Sequence, residues 1–345
     1  MKNKIGFLLL LFLGLTHYSC KMDNQQGSTN GSDSTTSTGT LPKLTAGVHA
    51  WPGGGTIYLA DKKGFFKKHG VDVDIKKIEN FDTKRSSMIG GSIDLDIANT
   101  MDQLVIYANV GFPITIIGVS DESTGGDGLI CKESIQTIQD LKGKTIAYAE
   151  ASPSDFFLRY VLKQNGIDPS EVKLKPVADP QIAGNAAISK TVDAAVTYEP
   201  FLSQADDTEG LKSLVTTAKY PTLIPGLILA DNKKVAKNPV PYQKFMDAWF
   251  EAIDYYYAHK EESEKIIAEG MGMDVAEVSD ILSTVQLQTR AQNRKLIQDA
   301  TKDDLYELIE SISVFWKENN FIDKDIDGKA LVSEELITGN YAVQK

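Results

Sequence analysis

From Leu44 onward, short apolar runs alternate with stretches of helical periodicity at intervals that fit β/α units. Residues 44–50, 71–78, 95–99 and 113–119 read as strands, and residues 56–69, 83–90 and 101–110 as the helices between them. A second set follows, with strands at 144–149, 172–177 and 192–197 and helices at 153–165, 180–189 and 200–205. Apolar strands separated by helices predict buried, mainly parallel sheets. Two successive sets predict two α/β lobes, with residues 129–131 crossing between them. The last third changes period: 241–271, 275–298 and 302–319 read as helical, with no clear strand. Phe245, Trp249, Ile253 and Tyr256 recur at three-to-four spacing, which marks an apolar face that packs back on the first lobe.

The amino terminus has a different pattern. Lys2 and Lys4 precede an apolar run from Ile5 to Leu15, and a small-residue site ends at Ser19–Cys20. That is the layout of a secretory leader. Its apolar run is about half of the roughly twenty residues a bilayer span needs. The site is similar to that of bacterial lipoproteins, in which Cys20 would become the acylated first residue. It departs from their pattern in placing His17 where a Leu-like residue is usual. Residues 22–40 are almost wholly small and polar, a composition that forms a flexible tether rather than a core. The expected organisation is a leader at 1–19, a lipid-tethered linker at 20–42, lobe 1 from 43–130 and 229–345, and lobe 2 from 131–228.

Composition narrows the partners. The chain of 345 residues has a net charge of −11, and loss of the two leader lysines would take it to −13. That excess argues against nucleic acid or an anionic membrane surface as a partner. There are two cysteines. If Cys20 carries lipid, Cys131 has no intramolecular partner. The four His residues, at 17, 49, 69 and 259, show no metal-ligand spacing, and no cofactor is expected.

Candidate chemistry sits where strands end, since ligands of open α/β sheets bind at carboxyl edges. Trp51-Pro52-Gly53-Gly54-Gly55-Thr56 offers an aromatic wall, close backbone approach and a helix start; it is neither a Walker loop nor a dinucleotide fingerprint. Asn99–Asp102 ends the third strand with an amide and a hydroxyl. Residues 120–128, with Thr124 and Asp127, read as a glycine-rich hinge. Ser152-Pro153-Ser154 has N-cap chemistry that also suits an anion. Tyr198-Glu199-Pro200 leaves a carboxylate at a strand edge.

Five segments, spanning roughly Leu44 to Ala230, resemble one family in order. They are Trp51 to Ile75, Gly91 to Ala98, Ser123 to Gly128, Asp140 to Ala147 and Val192 to Pro200. The resemblance is to bacterial solute-binding proteins for sulfonates, taurine, nitrate and the pyrimidine precursor of thiamine. It implies a periplasmic-binding-protein fold of type II, two α/β lobes around a central cleft with two hinge crossings. It also implies capture of a small organic solute, sulfonate- or taurine-like, by a monomer that delivers it to an ABC permease and its ATPase at the bacterial cell envelope. Carried over by position, ligand contacts come from Trp51, Gly54, Thr56, Asn99, Thr124, Asp127, Ser152, Ser154 and Glu199. No Arg stands in these loops, which keeps a pyrimidine or other vitamin open as the ligand. Two other functions are compatible with this fold. A pyrimidine synthase would need the Cys-rich patch and His of that branch, and this chain has Cys131 and, at a strand end, His49. A sensory adaptor would use the same lobes.

Overall fold

The computed structural model describes residues 40–220, 222–298 and 305–340. The expected leader, Cys20 and most of the expected tether lie outside the described residues. Eleven strands form among the described residues: β1 Lys43–Val48, β2 Asp72–Lys77, β3 Leu95–Asn99, β4 Ile114–Ser123, β5 Asp127–Lys132, β6 Thr145–Ala149, β7 Lys173–Val177, β8 Ala194–Tyr198, β9 Leu211–Thr216, β10 Pro225–Asp231 and β11 Val285–Leu287. They build two sheets, in the orders β11-β4-β10-β3-β1-β2 and β7-β6-β8-β5-β9. Both sheets and their helices sit in one compact unit.

The strands linked through helices are parallel, as expected: β1 with β2 and β3, and β6 with β7 and β8. The sheets are nevertheless mixed. β5 runs antiparallel to β8 and β9, and β10 antiparallel to β3 and β4. The cause is connectivity. β4 and β9 end at the edge where the two sheets meet, so β5 and β10 start there and run away from it, against their helix-fed neighbours. The carboxyl ends of β1, β3, β6 and β8 therefore face the junction. Residues 127–130 pair in the second sheet and residues 225–228 in the first. The crossings thus fall at 124–126 and 217–224, a few residues from the boundaries read from the sequence.

Local departures have local causes. The helix expected over 56–69 is two, Thr56–Lys62 and Phe65–His69, because Gly64 between them takes φ 74°. The long helix after Pro241 breaks at His259 into Val240–Ala258 and Lys260–Met271. β5, β9, β10 and β11 were not anticipated: residues 129–131, read as crossing between the lobes, lie inside β5, and β11 interrupts a segment read as helix. The aromatic face of helix Val240–Ala258 is core: Phe245, Trp249, Ile253 and Tyr256 are buried, and Phe245 stacks on Phe66 at 5.3 Å between centroids. Helix Leu305–Glu318 reaches further than the first sheet. Its Phe315 meets Phe156 of helix Pro153–Gln164 edge-on at 5.2 Å, so it also rests on the second sheet's layer.

A polar cluster pins the first sheet from within. Lys84 is fully buried; its Nζ lies 2.8 Å from Asp96 Oδ1 and donates to the Ile97 carbonyl at 3.2 Å. His49 Nδ1 stands 3.1 Å from the same ammonium, and its basicity falls well below the usual imidazole range because it is buried beside that charge. Asp96 Oδ2 accepts from Asn99 Nδ2 at 2.6 Å and from the Tyr107 hydroxyl at 2.9 Å. Breaking such a pair strands a buried charge. Lys84→Met is expected to cost about 3–5 kcal/mol in urea unfolding, and Lys84→Met combined with Asp96→Leu much less.

Candidate functional site

The two crossings are stitched together at the junction. The Thr217 hydroxyl, fully buried, accepts from Gly125 N–H at 2.9 Å and lies 2.8 Å from Ser123 Oγ. Thr124 and Gly126 donate their N–H groups to the Thr284 carbonyl at 2.9 and 3.2 Å. The sheets are thus joined by two short stretches of backbone, the arrangement of a hinge.

At this junction the loop after β1 meets the second sheet. Trp51 presents its ring edge to Tyr198 at 6.3 Å between centroids and 84° between planes, and it lies against Gly126. Its Nε1 donates to Asp121 Oδ2 at 2.8 Å, and Ser120 Oγ donates to Asp121 Oδ1 at 2.6 Å. The Asp121 carboxylate is confined on two further sides: a methyl group at Gly53 or Gly226 would overlap it. Close approach is what these two glycines provide. Asp121 was not singled out from the sequence. Its position in a Ser-Asp-Glu-Ser run at the end of an apolar strand was the available signal.

Three more acids crowd the same region. Asp127 opens β5, and Asp121 and Glu199 both bear on its charge. Glu122 is buried beside Asp121. Among the described residues, no Lys or Arg bonds to or ion-pairs with Asp121, Glu122, Asp127 or Glu199. Burial raises Asp121, Glu122 and Asp127. Glu122 rises to about 7, with Asp121 adding to the effect of burial, and Asp127 rises to about 6 through burial and then its acidic neighbours, against the Ser123 hydroxyl.

The other residues read from the sequence divide by role. Ser152 caps helix Pro153–Gln164, accepting from Ser154 N–H at 3.2 Å while its hydroxyl donates to the Ala149 carbonyl at 2.7 Å. Ser154 is buried at the first turn of that helix. Glu199 accepts from the N–H and hydroxyl of Ser203, each at 3.0 Å, so its carboxylate serves the start of helix Phe201–Asp206. Asn99 is 1% exposed and held in the Asp96 cluster, with its Oδ1 accepting from Thr100 N–H. Gly54 packs over Ala98, and Thr56 is fully buried with its hydroxyl unpartnered. Thr124 contributes its backbone to the crossing. Left-handed backbone at non-glycine residues occurs at Ala98 (φ 51°), near the end of β3, and Ala151 (φ 53°), immediately before Asn99 and Ser152, as well as at Lys190, Thr222 and Asn320 elsewhere. Such conformations cost energy and concentrate at ligand clamps.

Comparison with known proteins agrees with this architecture. The NMT1/THI5 like family matches residues 51–263, well over half of the chain. The chain belongs to that family. A Bacillus subtilis protein named as an aliphatic sulfonates-binding protein is 26% identical over 289 residues, 81% of this chain and 83% of its own length. A Candida albicans protein named 4-amino-5-hydroxymethyl-2-methylpyrimidine phosphate synthase is 26% identical over 231 residues, 60% of this chain and 64% of its own. The crystal structure of the periplasmic aliphatic sulphonate binding protein SsuA from Escherichia coli superposes with a TM-score of 0.72 at 20% identity, covering 86% of this chain and 99% of that one. The fold is therefore that of the periplasmic binding proteins.

The raised carboxylates make stability depend on pH with a definite sign. The folded state keeps protons that the unfolded chain releases, so this contribution is fully present below about pH 4 and lost as pH rises through 6 and 7. The ligand-free protein is expected to be about 2–3 kcal/mol less stable at about pH 8 than at about pH 5, measured by urea unfolding. Glu122→Gln with Asp127→Asn should flatten that slope.

Proposed function

We propose that this protein is a solute-binding component of an ABC importer, carried at the cell envelope, that closes its two lobes on a small organic solute bearing an amino group. Family membership and fold support the binding role. The ligand class rests on one observation, the pair of acids Asp121 and Asp127 beside the contact of Trp51 of the first lobe with Tyr198 of the second, with no Lys or Arg bonded to either among the described residues. Burying a carboxylate without a counter-charge is unfavourable, and a ligand ammonium or amino group relieves it through charge-assisted hydrogen bonds. An aromatic ring on each side adds a cation–π surface. A bare sulfonate or nitrate would add negative charge to this space. Of the solutes that relatives are named for, an aminated pyrimidine suits these groups; taurine would be held by its ammonium, and simple alkanesulfonates are disfavoured.

An enzymatic reading has less support. His49 is committed to Lys84, and Cys131 is buried with its thiol pushed up to about 11, which leaves little of the reactive thiolate near neutral pH.

Calorimetry on matched pairs tests the proposal. Taurine and an aminopyrimidine are expected to bind, while ethanesulfonate and nitrate are not. Asp127→Asn should weaken binding about 10- to 100-fold by removing a charge-assisted bond. Affinity should also fall as pH drops below about 6, where Asp127 takes up a proton in the free protein. Tight binding of ethanesulfonate with no response to Asp127→Asn would overturn the amine reading.

A further inference from the structure

Helix Leu305–Glu318 belongs to the first lobe by its anchorage, yet Phe315 on it reaches the second. The segment after the helix is tied to the end of helix Met101–Asn109: Asp323 N–H donates to Asn109 Oδ1 at 3.2 Å, and Lys324 Nζ donates to the Asn109 carbonyl at 2.8 Å. Further on, Ser333 N–H donates to the Ile116 carbonyl at 2.9 Å and the Thr115 hydroxyl to the Leu331 carbonyl at 3.2 Å, which fastens the same segment to β4. Phe315 meets the ring of Phe156 at 5.2 Å between centroids and 73° between planes, and the Arg159 guanidinium carbon lies 6.0 Å from the Phe315 centroid.

Phe156 and Arg159 stand three positions apart on helix Pro153–Gln164, and so on one face of it. Both are held from within the second lobe. Phe156 is buried, and Arg159 Nε donates to Asp155 Oδ1 at 2.6 Å. The other oxygen of that carboxylate accepts from Ala151 N–H at 3.2 Å, in the loop that presents Ser152. The face that receives Phe315 and the helix start at Ser152 and Ser154 are thus parts of one element. Rotation about the crossings at 124–126 and 217–224 carries this helix with the second sheet and leaves Phe315 with the first. The contact does not survive a wide opening, because aromatic and cation–π attraction is confined to about 6–7 Å.

We propose that Phe315 is a clasp for the closed conformation: a first-lobe side chain that docks on Phe156 and Arg159 as the lobes meet, and so sets the share of the protein that stands closed. This rests on the hinge-closing reading given above. A contact made only in the closed form favours closure whatever solute the cleft takes, and apparent affinity scales with the closed share. Phe315 therefore tunes affinity without being one of the residues assigned to the ligand. Trp51 and Tyr198 make a second contact between the lobes, through other segments of the chain. Both contacts belong to one closed form, so weakening the first lowers the population of the second.

The test reads that coupling without a ligand. The three tryptophans are replaced by 5-fluorotryptophan, and Trp51→Phe and Trp316→Phe assign the fluorine signals. Trp51 reports the contact with Tyr198, and Trp249, fully buried in the first lobe's core, is the control. Phe315→Leu and Arg159→Gln are expected to move the Trp51 signal in one direction, Phe315→Leu further, while the Trp249 signal stays in place. The larger shift should match a change of about 2- to 10-fold in the ratio of closed to open protein, the worth of an aromatic pair. Taurine or 4-aminopyrimidine should move the signal the opposite way, and Phe315→Leu should weaken their binding by the same factor through faster release. A Trp51 signal that neither substitution moves overturns the clasp, as does a Trp249 signal that moves with it in both variants. A Trp51 signal that answers both substitutions and neither compound supports the clasp and removes the amine reading.

Discussion

The structure depends on how the chain passes between its two sheets. Both crossings leave and enter at the same edge, so β4 and β10 lie side by side in one sheet while β5 and β9 do so in the other. That single constraint turns the carboxyl ends of all helix-fed neighbours toward one junction. It also holds the crossings together through the buried Thr217 hydroxyl. A cleft at the strand ends between the lobes is a consequence of this topology before any side chain is chosen.

The side chains then give that site its sign. Asp121, Glu122 and Asp127 are buried where the crossings begin, and their basicity rises because burial disfavours the charged form and no Lys or Arg among the described residues pairs with them. A fold can carry such an arrangement only at a cost in stability, and the cost falls when a donor-bearing ligand arrives. The buried Lys84–Asp96 pair shows the contrast: there the opposite charge comes from within the chain, and the group serves the core. Relatives named for sulfonates share the architecture, and the choice of solute lies with residues that the architecture does not specify.

The C-terminal helix spans both layers. It was expected as cover for the first lobe, and it also reaches helix Pro153–Gln164 through Phe315. Its Trp316 then sits where both lobes and the second crossing converge.

Sequence alone was enough for the β/α alternation, because apolar strands and periodic helices are written locally in residue order. It was also enough for the loops at strand ends, where Trp51, Asp127 and Ser152 stand out against their surroundings. It did not disclose the antiparallel strands β5 and β10, since direction depends on which edge a crossing reaches and not on composition. Nor did it separate Asn99, drawn into the Asp96 cluster, from Asp121, which Trp51, Gly53 and Gly226 enclose from three distant segments. A strand-end polar residue reads the same in either case. Only packing determines whether its partner is another side chain or a ligand, because the partners come together from parts of the chain that share no local pattern.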